Sequence, residues 1–221
     1  MKIDGRRIAE EIRNELKSYI LQLKNQGIVP KIAIITLGPE SSWETYVRQK
    51  IKVARELGIK TVTVLINLED SDEEKLIRTI REIDKDPNYH GIIVQRPIPP
   101  NFNRERVVNS ISPKKDVDGF RPDSKFEVPV WLAVKKILES RIMNYESWRE
   151  LNFVVLGKGE TAGGPIIRGL KKMGLEPQII DSRTTNPVTI LKNADIIISC
   201  VGKIRVVSSK NIKKGVILIG V

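Results

Sequence analysis

The chain has 221 residues, more than one compact domain usually needs and about what two small α/β domains require. Hydrophobic residues make up 40% and charged residues 29%, an ordinary globular balance, and no apolar run nears the roughly 20 residues of a membrane span. A net charge of +11 would suit a nucleic-acid partner, but the basic residues are interleaved with 27 acids rather than gathered into one tract, so most read as solvated helix faces.

From Arg6 to Lys24, Ile8, Ile12, Leu16 and Ile20 recur every four residues and Gly27 follows as a stop, which predicts an amphipathic helix. Lys31 to Leu37 reads as a buried strand. Ser41 with Glu44 three residues on matches a capping box, so a second helix is expected from there to Leu57, ending at Gly58. Thr61 to Leu68 is the next strand, Asp72 to Ile83 a helix opened by acids, and Gly91 to Val94 a third strand.

After Gly119 the pattern loosens until Pro129, where Trp131 to Ile137 begins a helix expected to bridge two domains, residues 1–125 and 126–221. Beyond it come a strand from Phe153 to Leu156, the loop Gly157-Lys158-Gly159-Glu160-Thr161-Ala162-Gly163-Gly164, a helix to Lys172, a strand from Pro177 to Ile180, and strands near Ile196 and Val216. Strands alternating with helices build parallel, doubly wound sheets, whose ligands sit beyond the carboxyl ends of the strands.

Several polar groups stand at those positions. Tyr46 and Lys50, four residues apart, share one helix face and suit a flat, partly anionic ligand. With Val53 close by, the Lys50 amine is expected to face apolar neighbours, which would dispose it to act as a general base. Gln95 ends the third strand and is placed to bond a lysine or a ligand. Asp116 and Asp118 flank Val117 before Gly119, either as a second functional element or as an Asx turn.

Gly157, Gly159 and Gly163 form G-x-G-x-x-x-G, which departs from the strict dinucleotide fingerprint but follows a strand and opens a helix, where backbone N–H groups receive a pyrophosphate. At the end of the next strand the signals conflict. Asp181 favours a free ribose 2′-hydroxyl, whereas Lys158, Ser182 and Arg183 would hold a 2′-phosphate. His90 stands apart from any second metal ligand and Cys200 lies inside an apolar run, so both read as structural and no metal site is expected. One cysteine also excludes a disulfide framework. With no apolar leader behind Met1-Lys2-Ile3-Asp4, a cytoplasmic setting follows.

Taken together, Tyr46 to Lys50, Gly91 to Pro97, Lys115-Asp116-Val117-Asp118-Gly119-Phe120, Gly157 to Pro165 and Ser182-Arg183-Thr184 resemble, in identity, order and spacing, the bifunctional methylenetetrahydrofolate dehydrogenase/methenyltetrahydrofolate cyclohydrolase family. The resemblance implies an N-terminal catalytic domain and a C-terminal Rossmann-type domain with a folate cleft between them, usually in a homodimer, with NADP, or alternatively NAD, as the dinucleotide. It implies that Tyr46 stacks on the folate rings, Lys50 is the catalytic lysine, Gln95 orients it, and Asp118 and Pro97 contact the substrate. Gly157, Lys158, Gly159, Gly163, Ser182 and Arg183 would bind the dinucleotide.

The departures from the family pattern fall mostly on the dinucleotide half. Pro129-Val130-Trp131-Leu132 replaces a Pro-Cys-Thr-Pro segment, Lys158 stands for the family's arginine, Gly159 for its serine, Asp181 for its histidine and Gly220 for its aspartate. The family also continues with a glycine-rich loop and a final helix past the strand that ends here at Val221, which would leave apolar surface uncovered. An enzyme that keeps the cyclohydrolase reaction and has weakened or lost the dehydrogenase is therefore an alternative reading. A noncatalytic, basic nucleic-acid-binding module is a more remote one.

Overall fold

A computed structural model describes residues 3–38, 43–68, 72–142, 144–203 and 206–221. The chain divides into two compact units, Met1–Val128 and Pro129–Val221, so the division falls slightly beyond residue 125. No described helix is long and apolar enough to cross a membrane.

In the first unit, α1 (Gly5–Asn25) is opened by Asp4, whose carboxylate accepts from the Arg6 and Arg7 N–H groups. Of its expected apolar stripe only Ile8 and Ile20 are buried, while Leu16 is exposed. There follow β1 (Lys31–Leu37), α2 (Glu44–Leu57), β2 (Lys60–Ile66), α3 (Glu73–Lys85), β3 (Gly91–Val94) and α4 (Arg104–Asn109). The expected cap at Ser41 lies outside the described residues, whereas Gly58 ends α2 in the left-handed conformation that glycine adopts freely. β2 stops at Ile66 rather than Leu68 because its partner β1 has run out, Leu37 being paired with Ile66.

The three strands are parallel in the order β2-β1-β3. Ile35, Leu37, Ile92 and Val94 pack with Leu76, Ile77 and Ile80 of α3 and with Val107 and Val108 of α4, whereas Ile34 packs with Trp43 and Val47 at the start of α2. β1 is covered on both faces, which is why it reads as an unbroken apolar run.

The second unit begins with α5 (Pro129–Glu139) and α6 (Tyr145–Trp148), then runs β4 (Phe153–Leu156), α7 (Gly163–Lys172), β5 (Gln178–Ile180), α8 (Pro187–Asn193), β6 (Ile196–Ser199) and β7 (Ile217–Gly220). Its strands are also parallel, in the order β5-β4-β6-β7. On one face Val155, Ile196 and Ile198 pack with Trp131, Trp148, Ile166 and Leu170; on the other Val154, Leu156 and Ile197 meet Leu191 and Ala194. This is a doubly wound α/β unit. α5 is part of its core and not the expected bridge. β7 buries Ile219 but exposes Leu218, so it is covered on one face only.

α5 and α7 meet at one close contact, where a Cβ added to Gly169 would lie 2.2 Å from Trp131 Cδ2. Both the indole and the α7 backbone are buried, so neither can give way cheaply. Gly169→Ala is expected to destabilise this unit by about 1–3 kcal/mol. In a thermal scan followed by tryptophan fluorescence the transition should fall by about 5 °C or more. An unchanged transition would contradict the packing.

Candidate active site

The parallel ladder between β1 and β3 continues one residue past β3, because Gln95 N–H donates to Ile35 C=O at 2.8 Å. Side chains alternate along a strand, so with Ile92 and Val94 facing α3, Gln95 faces the opposite side, toward α2. There its Oε1 accepts from Lys50 Nζ at 3.0 Å, while its Nε2 donates to Arg96 C=O at 3.1 Å. Both halves of a buried amide are thereby satisfied, which fixes its orientation.

Lys50 is also 4.0 Å from Asp118 Oδ1, so lysine, amide and carboxylate come together as expected. The expectation of apolar surroundings for Lys50 does not hold. Its side chain is 36% exposed and its amine meets an amide and a carboxylate. Tyr46, one turn earlier on α2, is 70% exposed and offers its ring to solvent. Pro97 follows Arg96 across a cis peptide bond and is exposed.

The structure separates the two aspartates that the sequence left together. Asp116 is buried, bridges to Ile92 beside β3, and accepts from Arg121 N–H at 2.9 Å, so it holds the turn. Asp118 faces Lys50. Burial pushes its carboxyl above the ordinary carboxylate value, against the opposing pull of the Lys50 and Arg96 cations.

Two neighbouring features have no local signal in the sequence. The Arg96 guanidinium lies 3.7 Å from the centre of the Phe120 ring, a cation–π contact across 24 positions with no short-range signature. Thr36 is fully buried at the end of β1, and its hydroxyl has no hydrogen-bond partner among the described residues.

The second unit places its polar loop at the carboxyl edge of its own sheet, where the strand order reverses on either side of β4. Gly157 follows β4 with φ of 84°, and a Cβ on Gly163 would fall 2.0 Å from Gly157 C=O, so the turn into α7 requires glycine. A Cβ on Gly159 would meet nothing within 4 Å, which leaves room for a ligand against the backbone. α7 carries no acid in its first turn. These features fit a dinucleotide pyrophosphate.

At the end of β5, Asp181 Oδ2 pairs with Lys158 Nζ at 2.7 Å, and Ser182 and Arg183 are exposed beside it. Lys158 and the Arg183 backbone N–H hold the Asp181 carboxyl down to about 2. His90 Nδ1 accepts from Lys31 N–H at 3.2 Å, a structural role. Cys200 packs against the core, where burial pushes its thiol up to about 11 and disfavours the thiolate. The described residues hold no cluster of metal-ligating side chains.

Two parallel α/β units, one presenting a lysine–amide–carboxylate cluster and the other a glycine-rich loop, define a two-part dinucleotide-dependent enzyme. Family comparison agrees. Residues 3–118 match the tetrahydrofolate dehydrogenase/cyclohydrolase catalytic domain, and residues 132–221 match the NAD(P)-binding domain of the same family. The chain belongs to that family.

Among curated relatives, the bifunctional protein FolD of Staphylococcus epidermidis is 34% identical over 99% of this chain and 78% of its own length. The bifunctional FolD enzyme of Campylobacter jejuni superposes with a TM-score of 0.89 at 29% identity, over 97% of this chain and 78% of the other. The FolD of Trypanosoma brucei, solved with NADP cofactor and inhibitor, gives a TM-score of 0.88 at 26% identity, over 99% of this chain and 77% of its own.

The raised Asp118 carboxyl has a consequence for stability. A carboxyl whose folded value exceeds its unfolded one weakens the fold at every pH above the unfolded value, and the fold regains that stability as pH falls through the folded value. Asp118→Asn is therefore expected to unfold at a higher temperature than wild type at neutral pH, with the gap closing as pH falls through the raised folded value toward the unfolded one of about 4. Thermal unfolding across pH measures this. A lower unfolding temperature at neutral pH would mean that attraction to Lys50 and Arg96 outweighs burial.

Proposed function

We propose that the chain oxidises 5,10-methylenetetrahydrofolate to 5,10-methenyltetrahydrofolate, with NADP as hydride acceptor, and hydrolyses that product to 10-formyltetrahydrofolate, with Lys50 as the catalytic group of the hydrolysis. The observation that carries the reading is the 3.0 Å hydrogen bond from Lys50 Nζ to Gln95 Oε1, with Asp118 Oδ1 4.0 Å from the same nitrogen. Membership of the tetrahydrofolate dehydrogenase/cyclohydrolase family supports it.

Tyr46 exposes a ring one helical turn before Lys50, so a flat pterin stacked on it is held beside the amine. Asp118 accepts hydrogen bonds from the N–H edge of that ring system, and Pro97 bounds the same face. When water adds to the bridging carbon of the methenyl compound, one proton must leave the water. A proton must also reach N5 as the carbon–N5 bond breaks. Starting from its unprotonated amine, Lys50 takes the first and returns it to N5, while the hydroxyl proton of the adduct passes to solvent as the formyl C=O forms, and Gln95 keeps the lysine nitrogen in place between the two positions.

In the second unit, the backbone around Gly157, Gly159 and Gly163 receives the pyrophosphate, and Lys158, Ser182 and Arg183 bind the adenosine end. Bound there, the dinucleotide supplies the nicotinamide that accepts the hydride. The protein's share of that step is alignment of the two reactants, which can provide much of the rate. A cytoplasmic homodimer is part of the proposal. Leu65 on the edge strand β2, which is exposed, is an apolar group that a second copy would cover.

One observation favours a second reading, in which the dehydrogenase is weakened. Trp131, within the segment that differs from the family's Pro-Cys-Thr-Pro, is 2% exposed and serves the core. Purified protein given methylenetetrahydrofolate with NADP or NAD, and separately methenyltetrahydrofolate, distinguishes the two. Reduced nucleotide together with loss of the methenyl absorbance supports the bifunctional enzyme, and hydrolysis alone supports the second reading.

Lys50→Met is expected to leave folate binding within a few-fold of wild type, because Tyr46 and Asp118 remain, while methenyl hydrolysis falls by about 10² or more. Equilibrium folate binding and the decay of methenyl absorbance measure the two separately. Hydrolysis at the native rate would remove Lys50 from its role.

A further inference from the structure

The pair formed by Lys158 and Asp181 joins two places that a dinucleotide-binding sheet uses for different ligands. Lys158 is the second residue after β4, and Asp181 is the first after β5, the neighbouring strand. Their 2.7 Å contact therefore ties two adjacent strand tips at the carboxyl edge of the sheet. The carboxylate is held from both sides. Oδ2 accepts from Lys158 Nζ, while Oδ1 accepts from Arg183 N–H at 2.9 Å and Thr184 Oγ1 at 3.4 Å. Asp181 stays ionised throughout the neutral range, so the tip presents a fixed anion and a movable cation in contact.

In a sheet of this order the adenosine ribose lies at the tip of the strand beside the glycine-rich loop. An acid about 20 residues past that loop accepts from a free 2′-hydroxyl, and a cation near it takes a 2′-phosphate. Here both kinds of group occupy the tip.

We propose that Lys158 and Asp181 form an exchangeable ion pair that lets the adenosine end accept either NAD or NADP with little discrimination. The inference rests on the dinucleotide reading above and deepens it. With a free 2′-hydroxyl the pair stays closed, and Asp181 Oδ2 has acceptor capacity left for the hydroxyl. With a 2′-phosphate, which carries about −1.5 to −2 charges, Lys158 leaves Asp181 and donates to the phosphate, and Arg183 from the same turn adds a second cation. The phosphate gains those two partners but faces the carboxylate that Lys158 has left. NADP thus gains two cations at the cost of the ion pair and one repelling carboxylate, whereas NAD keeps the ion pair and gains a single acceptor.

The residue types suit the exchange. A lysine ammonium is a point charge on a flexible stem, whereas an arginine fork held by both carboxylate oxygens would resist transfer. The Lys158 side chain is 56% exposed and its neighbour Gly159 has no side chain to obstruct it, so the amine has room to swing.

The test is calorimetric titration of NAD and NADP into the full chain as wild type, Asp181→Asn and Lys158→Met, with circular dichroism to confirm that each is folded. The wild-type dissociation constants should lie within tenfold of each other. Asp181→Asn should move their ratio at least fivefold toward NADP, and Lys158→Met at least fivefold toward NAD. A wild-type preference beyond tenfold, or a smaller shift in either variant, would overturn the exchange. Failure of the wild type to bind either dinucleotide would instead remove the dinucleotide reading itself, and this inference with it.

Discussion

The arrangement at Lys50 depends on the register between β1 and β3. Ile35 is paired with Val94, so the next residue, Gln95, continues the ladder through its backbone and turns its side chain away from the α3 core. A slip of one residue would send Gln95 into the cluster of Leu76, Ile77 and Ile80 and place Val94 against the lysine. The burial of both sheet faces resists that slip, because every strand residue would exchange its surroundings at once. A hydrogen bond of ordinary strength between Lys50 and Gln95 is thereby positioned by a core of much larger energy.

The same constraint acts in the second unit by a different means. There the strand order β5-β4-β6-β7 reverses direction around β4, and the residues that follow β4 and β5 meet as Lys158 and Asp181. Glycine sets the loop between them. With any side chain at 163 the backbone of 157 would be displaced, and the ion pair with it. Both units put chemistry on strand tips beyond a rigid parallel sheet, where irregular backbone can carry polar groups without disturbing the core.

Much of this is legible in the sequence because buried parallel strands are continuous apolar runs bounded by polar or glycine residues. β1 and β3 have the bounds that their apolar runs suggested, Tyr46 and Lys50 lie on the expected helix, and Gln95 directly follows the third strand. What was not legible is equally physical. α4 and α8, of six and seven residues, are too short to show periodicity, and α8 begins with proline. α5 looked like a bridge since nothing local reveals that Trp131 will pack on Gly169, 38 positions away. The polar setting of Lys50 has no local signal, because helix spacing gives the direction of a side chain but not the polarity of what a distant strand brings to it. The roles of Asp116 and Asp118 were inseparable for the same reason, since only the fold puts one against Ile92 and the other against Lys50.

Central to this account is that Gln95 acts through Lys50 and not alone, a claim about coupling between two side chains. A double-mutant cycle on methenyl hydrolysis, with Lys50→Met, Gln95→Met and the pair of substitutions together, measures that coupling directly. If the amide serves to hold the amine, the double variant should hydrolyse no more slowly than Lys50→Met alone. If the two losses multiply, each residue acts independently and the contact between them is incidental to the chemistry.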